Sequence, residues 1–97
     1  MTEMTGRAEV LSAAKAAVED RGRAYSPPAR NFQRIADLWS VILNVPIEPW
    51  EVALCLAAVK VARLAETEGQ HPDSWVDLAG YASCGAEITM EDEDGTP

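Results

Sequence analysis

Apolar residues in this chain recur at intervals of three and four, the spacing that puts them on one side of an α-helix, and no stretch alternates convincingly as a half-buried strand would. The pattern predicts four helices. The first spans about Thr5 to Asp20, with Val10, Leu11, Ala14, Ala17 and Val18 at helical spacing and Gly22 as its stop. Ser26-Pro27-Pro28 cannot continue a helix, so Arg21 to Ala29 reads as a loop. The second runs from about Ala29 to Leu43 on a stripe of Phe32, Ile35, Ala36, Trp39 and Leu43, and ends at Asn44 and Pro46.

The third helix has the sharpest start. Glu48 falls at the N-cap, Pro49 at the first helical position and Glu51 at the third, where a carboxylate suits the helix dipole. It continues to about Glu66, is closed by Gly69, and carries Val52, Leu54, Cys55, Leu56, Val59, Val61 and Leu64 on more than one face. A helix that is apolar around much of its circumference belongs at the centre of a bundle or at an oligomer interface. The fourth begins at His71-Pro72-Asp73 and runs to Ile88. Gly80 and Gly85 weaken it in isolation and point to a close neighbour there, a helix or a ligand. Residues 1–90 thus form a single helical domain, and residues 91–97 an acidic tail expected to be disordered.

Composition sharpens this picture at two points. The 97 residues suffice for one domain, and apolar residues reach 47% while aromatics are only 6%. Much of the apolar count is alanine, which favours close helix packing over a thick core, so oligomerisation to a dimer or tetramer is expected to supply part of the buried surface. The net charge is −8. With the four acids Glu91 to Asp94 set aside, 12 acids face 8 bases and −4 remains. That sign argues against duplex nucleic acid or an anionic membrane as partner. Cys55 and Cys84 form no CxxC pair and sit in apolar stretches, as buried free thiols do in a reducing compartment. With no membrane-length apolar run and no leader pattern at the N-terminus, the expected location is cytoplasmic.

The chemistry lies in polar residues on otherwise apolar helices. Lys60 and Arg63 share a face of the third helix, and Asp73 and Asp77 share a face of the fourth, with His71 just ahead. If the two helices are antiparallel neighbours, the basic pair faces the acidic pair. That arrangement is either an interhelical salt-bridge set or a polar site for a phosphate, a metal or both. Glu48-Pro49-Trp50-Glu51 reads as ExxE, which serves equally as a helix cap and as half of a divalent-cation site. His71 is a helix cap or a ligand contact. Asn31, beside Tyr25 and the Pro-Pro loop, caps the second helix or meets a ligand, and Tyr81 is a further candidate contact. Trp39, Trp50 and Trp75 read as core aromatics, with Trp50 the one placed to be exposed. Phosphate loops, GxGxxG, nucleophile elbows and Cys/His clusters are absent from the sequence.

The order Tyr25, Asn31-Phe32, Ile35-Ala36-Asp37-Leu38-Trp39, Glu51-Val52-Ala53-Leu54, Val59-Lys60-Val61-Ala62-Arg63-Leu64 and His71-Pro72-Asp73-Ser74-Trp75-Val76-Asp77-Leu78-Ala79-Gly80-Tyr81-Ala82 resembles a family of short phage and prophage proteins, DUF6378. The resemblance covers roughly residues 9 to 88, and its last dozen quoted residues are the most specific. That family is in turn distantly similar to the all-α MazG-like nucleoside triphosphate pyrophosphohydrolases, oligomeric bundles that bind magnesium through ExxE and ExxD. The resemblance implies an all-α, MazG-like four-helix bundle of phage origin, acting in a bacterial host's cytoplasm. Glu48 and Glu51 would match ExxE, and Asp77 the final aspartate of ExxD, with Ser74 where that motif has glutamate and Asp73 one residue out of register. Glu51 and Asp77 would then be catalytic; Glu48, Glu51, Asp73 and Asp77 would hold Mg2+; Asn31, Lys60, Arg63, His71 and Tyr81 would contact the nucleotide. Two functions follow: magnesium-dependent hydrolysis of a nucleoside triphosphate, or non-catalytic sequestration of a nucleotide or nucleotide-derived signal. A purely structural or protein-binding module is the third reading.

Overall fold

The structure, a computed structural model, describes residues 6–24 and 27–94, with side chains described for residues 6–21 and 27–90. Thr5 and Tyr25 lie outside the described residues. The described chain is all-helical: α1 (Arg7–Ala24), α2 (Pro28–Leu43), α3 (Pro49–Glu66) and α4 (Pro72–Asp94). α1 passes through Gly22, where the sequence predicted a stop. An interior glycine costs a helix only about 1 kcal/mol, and the true barrier is Pro27-Pro28, which places Pro28 in the first turn of α2. α4 likewise continues to Asp94, beyond Ile88.

The helix ends follow from local chemistry. At α3 the Glu51 carboxylate accepts the backbone N–H of Glu48 at 2.9 Å while the Glu48 side chain accepts that of Glu51, a reciprocal capping box. Its far end closes with Glu68 left-handed (φ 53°) and Gly69 at φ 79°. The Gly69 N–H reaches back to the Leu64 carbonyl at 2.7 Å, the 6→1 bond of a Schellman turn. α2 ends on left-handed Asn44. Ser40 then ties the following turn to the helix, donating to the Ala36 carbonyl at 2.7 Å and accepting the Ile47 N–H at 2.9 Å.

α3 and α4 share the most extensive contact, α4 also packs on α1, and α2 packs mainly on α3. Lys60 faces Asp77 and Ala53 faces Gly85, so residue numbers fall on one helix as they rise on the other and the pair is antiparallel. A Cβ built on Gly85 would stand 3.0 Å from the Ala53 methyl, and one on Gly80 3.5 Å from a Val18 methyl. The neighbours expected at both glycines are therefore helices, α3 at one and α1 at the other. The core is small: Phe32, Ala36, Val52, Ala53, Cys84 and Ile88, bordered by Trp39, Leu56 and Tyr81. Apolar residues also remain outside it. Leu38, Val41, Ile42 and Val45, at positions i, i+3, i+4 and i+7, form an exposed stripe along and just past α2, with Val41 81% exposed. Leu54, Val59 and Val61 are exposed on α3, as the apolar circumference of that helix foreshadows. Cys55 is exposed rather than buried, because it lies on the α3 face turned away from both neighbours. Trp50 and Trp75 are both about half exposed, and Trp75 is held at the surface by its indole N–H donating to the Gly69 carbonyl at 2.8 Å.

Candidate functional site

α1 and α2 each lean on the α3–α4 pair without a substantial interface of their own, and between them lies a cleft of about 500 Å³. Phe32 and Ile35 of α2, Leu56 of α3, and Val76 and Cys84 of α4 give it apolar walls, while Ala14, Ala17 and Gly80 keep side-chain volume low where α1 meets α4. Four residues singled out in the sequence converge here: Asn31, Lys60, Asp77 and Tyr81. Two more cations, Arg21 at the end of α1 and Arg34 on α2, line the same cleft.

The polar pair that joins α3 to α4 is well defined. Lys60 Nζ lies 2.9 Å from Asp77 Oδ2, with the lysine side chain 18% exposed and the aspartate 41%. A partly exposed pair of this kind contributes modestly to stability, roughly 1 kcal/mol or less. Arg34 and Arg21 are both more exposed than Lys60. Cys84 is buried beside them, and burial pushes its thiol above the ordinary value of 9.0, reinforced by Glu87 and opposed by a hydrogen bond with Ser83. It contributes a small apolar surface to the cleft.

The remaining predicted site residues lie elsewhere. Glu48 and Glu51 are engaged in the α3 cap and do not line the cleft. Arg63 and Asp73 are exposed, and among the described residues neither has an ion-pair partner. The antiparallel register explains this: with Lys60 opposite Asp77, Arg63 comes opposite Ser74, and Asp73 is one residue, about 100° of helix, out of line. His71 serves as the cap of α4. Its Nδ1 accepts the Ser74 backbone N–H at 3.2 Å and lies 2.6 Å from the Ser74 hydroxyl, so Ser74 is satisfied although fully buried. Among the described residues, no three His, Cys, Asp or Glu side chains gather as a metal site. Nor is any described helix long and apolar enough to cross a membrane.

Sequence reasoning missed Arg21 and Arg34. Arg34 carried a usable signal, since it follows Asn31 by three residues and shares its helix face. Arg21 carried none, because Gly22 made it look like loop.

No solved structure matches the chain. Two phage proteins do. The Gene 55 protein of Mycobacterium phage D29 is 40% identical over 78 residues, covering 80% of this chain and 51% of that protein. The Gene 55 protein of Mycobacterium phage L5 is 33% identical over 78 residues, covering 79% and 49%. The chain therefore spans about half the length of the curated relatives it matches. The family model of DUF6378, a domain of unknown function, matches residues 9–89, and the chain belongs to that family.

Proposed function

We propose that this protein binds a phosphorylated small molecule of nucleotide type in the cleft between its four helices. The observation that supports this reading is the grouping of Arg21, Arg34 and Lys60 with Asn31, Tyr81 and apolar walls around about 500 Å³. An apolar cleft with a few convergent polar groups is the usual form of a small-molecule site. With Arg21 set aside, Lys60 and Arg34 still outnumber Asp77, the one carboxylate among the lining residues, in a chain of net charge −8, which favours an anionic ligand.

Of the two nucleotide functions, binding without turnover has the better support. Magnesium-dependent hydrolysis needs several carboxylates around one ion. Glu48 and Glu51 are committed to the α3 cap, Asp73 is exposed, and Asp77 is paired with Lys60. This donor set does not fit a magnesium centre, so no step is assigned to the metal. Isothermal titration with nucleoside mono- and triphosphates is expected to give saturable binding, with no pyrophosphate released when magnesium is added. Silence from every nucleotide would refute the binding reading, and pyrophosphate release would restore the hydrolytic one.

The same reading includes a MazG-like bundle completed by a second copy. The stripe of Leu38, Val41, Ile42 and Val45 is uncharged and continuous, of the kind that marks an interaction surface. Light scattering at micromolar concentration is expected to give at least a dimer mass, and a monomer mass would contradict it.

A further inference from the structure

The α3–α4 pair has two sides, and α1 and α2 lean on the one where Lys60 meets Asp77. On the other side α3 presents Leu54, Ala58, Val61, Ala62 and Ala65. All five are exposed, recur three and four residues apart, and point away from buried Val52, Ala53 and Leu64. Beside them α4 presents exposed Trp75, Ala82, Ala86 and Met90, opposite its buried Val76, Cys84 and Ile88. The charged residues of these stretches lie elsewhere: Lys60 and Asp77 in the cleft, Arg63 and Glu87 at the edges of the face. An uncharged centre carrying tryptophan and methionine has the composition of an interface core.

The relief of this face says what fits it. Leu54, 62% exposed, projects near one end. At the other end Val61, Ala65, Trp75 and Leu78 line a groove of about 410 Å³. Trp75 is fixed there by its indole N–H, which donates to the Gly69 carbonyl at 2.8 Å. Leu54 and Ala65 stand on one strip of α3, eleven residues or about 16 Å apart. A second copy laid antiparallel, with a two-fold axis between Ala58 and Val61, brings the Leu54 of each copy to the groove of the other. Parallel pairing would set Leu54 on Leu54 and groove on groove. The strip is therefore complementary to itself in one sense only, as a two-fold interface requires.

We propose that the outer face of α3 and α4 is a two-fold interface with a second copy of this chain, antiparallel along α3, in which Leu54 of each copy fills the groove beside Trp75 of the other. This interface is distinct from the α2 stripe and from the cleft, and it rests on neither. Its footprint, two helices wide and about 20 Å long, belongs with small reversible interfaces. The same register sets Glu51 of one copy against Glu68 of the other at both ends, a repulsion that a chain of net charge −8 carries into the contact.

The test is sedimentation velocity of the full chain up to about 500 µM, carried out in a Val41→Glu background so that the α2 stripe contributes nothing. A reversible dimer should remain. Adding Leu54→Glu, at an exposed position, should raise its dissociation constant at least about tenfold with helix content unchanged. Adding Glu68→Lys instead should tighten it about threefold, because a cation then faces Glu51. With Cys55 changed to alanine, Ala58→Cys should give a covalent dimer under mild oxidation much faster than Arg63→Cys. A Val41→Glu chain that stays monomeric throughout, or one whose association Leu54→Glu leaves unchanged, would overturn the interface. Equal cross-linking of the two cysteine variants, or weaker association in Glu68→Lys, would overturn the antiparallel register. Wild-type association in Val41→Glu combined with its loss in Leu54→Glu would support this face and remove the α2 stripe from the assembly.

Discussion

Along the α3–α4 seam, Gly85 brings the Ala53 methyl to 3.0 Å of where a Cβ would stand, and Val52, Cys84 and Ile88 fill the surrounding space. Between α1 and α2 the small residues Ala14, Ala17 and Gly80 border a volume of about 500 Å³ that no side chain fills. Alanine and glycine thus serve opposite ends in one small bundle. Where two helices bring their backbones together, small residues make a dense interface. Where the helices stay apart, the same residues leave room. The seam therefore carries the fold and the gap is free to carry the ligand, so stability and binding should respond to different substitutions.

The largest effect should come from the seam. Ile88→Ala removes a buried branched side chain and is expected to cost about 3 kcal/mol in chemical denaturation, without altering ligand binding in the folded fraction. Gly85→Ala follows: its new methyl meets the Ala53 methyl at 3.0 Å, and overpacking of that kind costs about 2 kcal/mol. Gly80→Ala should go the other way. Its Cβ meets Val18 at an ordinary 3.5 Å, and the gain in helix propensity should raise stability by about 0.5 kcal/mol. If the two glycine variants behaved alike, the contrast between seam and gap would fail.

The smallest effect concerns the cysteines. Burial raises the Cys84 thiol above 9.0, so the folded state holds that proton more tightly than the unfolded chain does. The resulting stability is fully present below the unfolded value and is lost as pH rises through the folded one. Denaturation curves should therefore weaken slightly above about pH 9, and Cys84→Ala should remove that slope. Exposed Cys55 should meanwhile react with a thiol reagent well before Cys84, which mass spectrometry of the partly labelled chain would resolve.

Elements governed by local chemistry were legible in the sequence. Glu48-Pro49-Trp50-Glu51 announced the α3 cap, Gly69 its end, and Pro72 the start of α4. The Lys60–Asp77 pair was legible because spacing alone places each residue on a helix face. Its extension to Arg63 and Asp73 failed because spacing cannot give interhelical register, and one residue of register turns a side chain by about 100°. The exposure of Cys55 and Trp75 was hidden for a related reason. An apolar residue on a helix shows that it can be buried, whereas the side its neighbours occupy is a tertiary fact. The arginines of the cleft were least legible of all. Arg21 enters it from α1, which runs on past Asp20, and an interior glycine at position 22 costs only about 1 kcal/mol, too little for local pattern to decide where the helix stops.

A nucleotide titration followed by amide chemical shifts on the folded protein reports occupancy and location together. If the cleft is the binding site, a nucleoside monophosphate should move the amides of Asn31, Arg34, Lys60, Asp77 and Tyr81 in a saturable manner and leave Glu48, Glu51 and Arg63 in place. Shifts confined to the α3 cap or to the Leu38–Val45 stripe, or no shifts at millimolar ligand, would contradict the assignment of the cleft as the site.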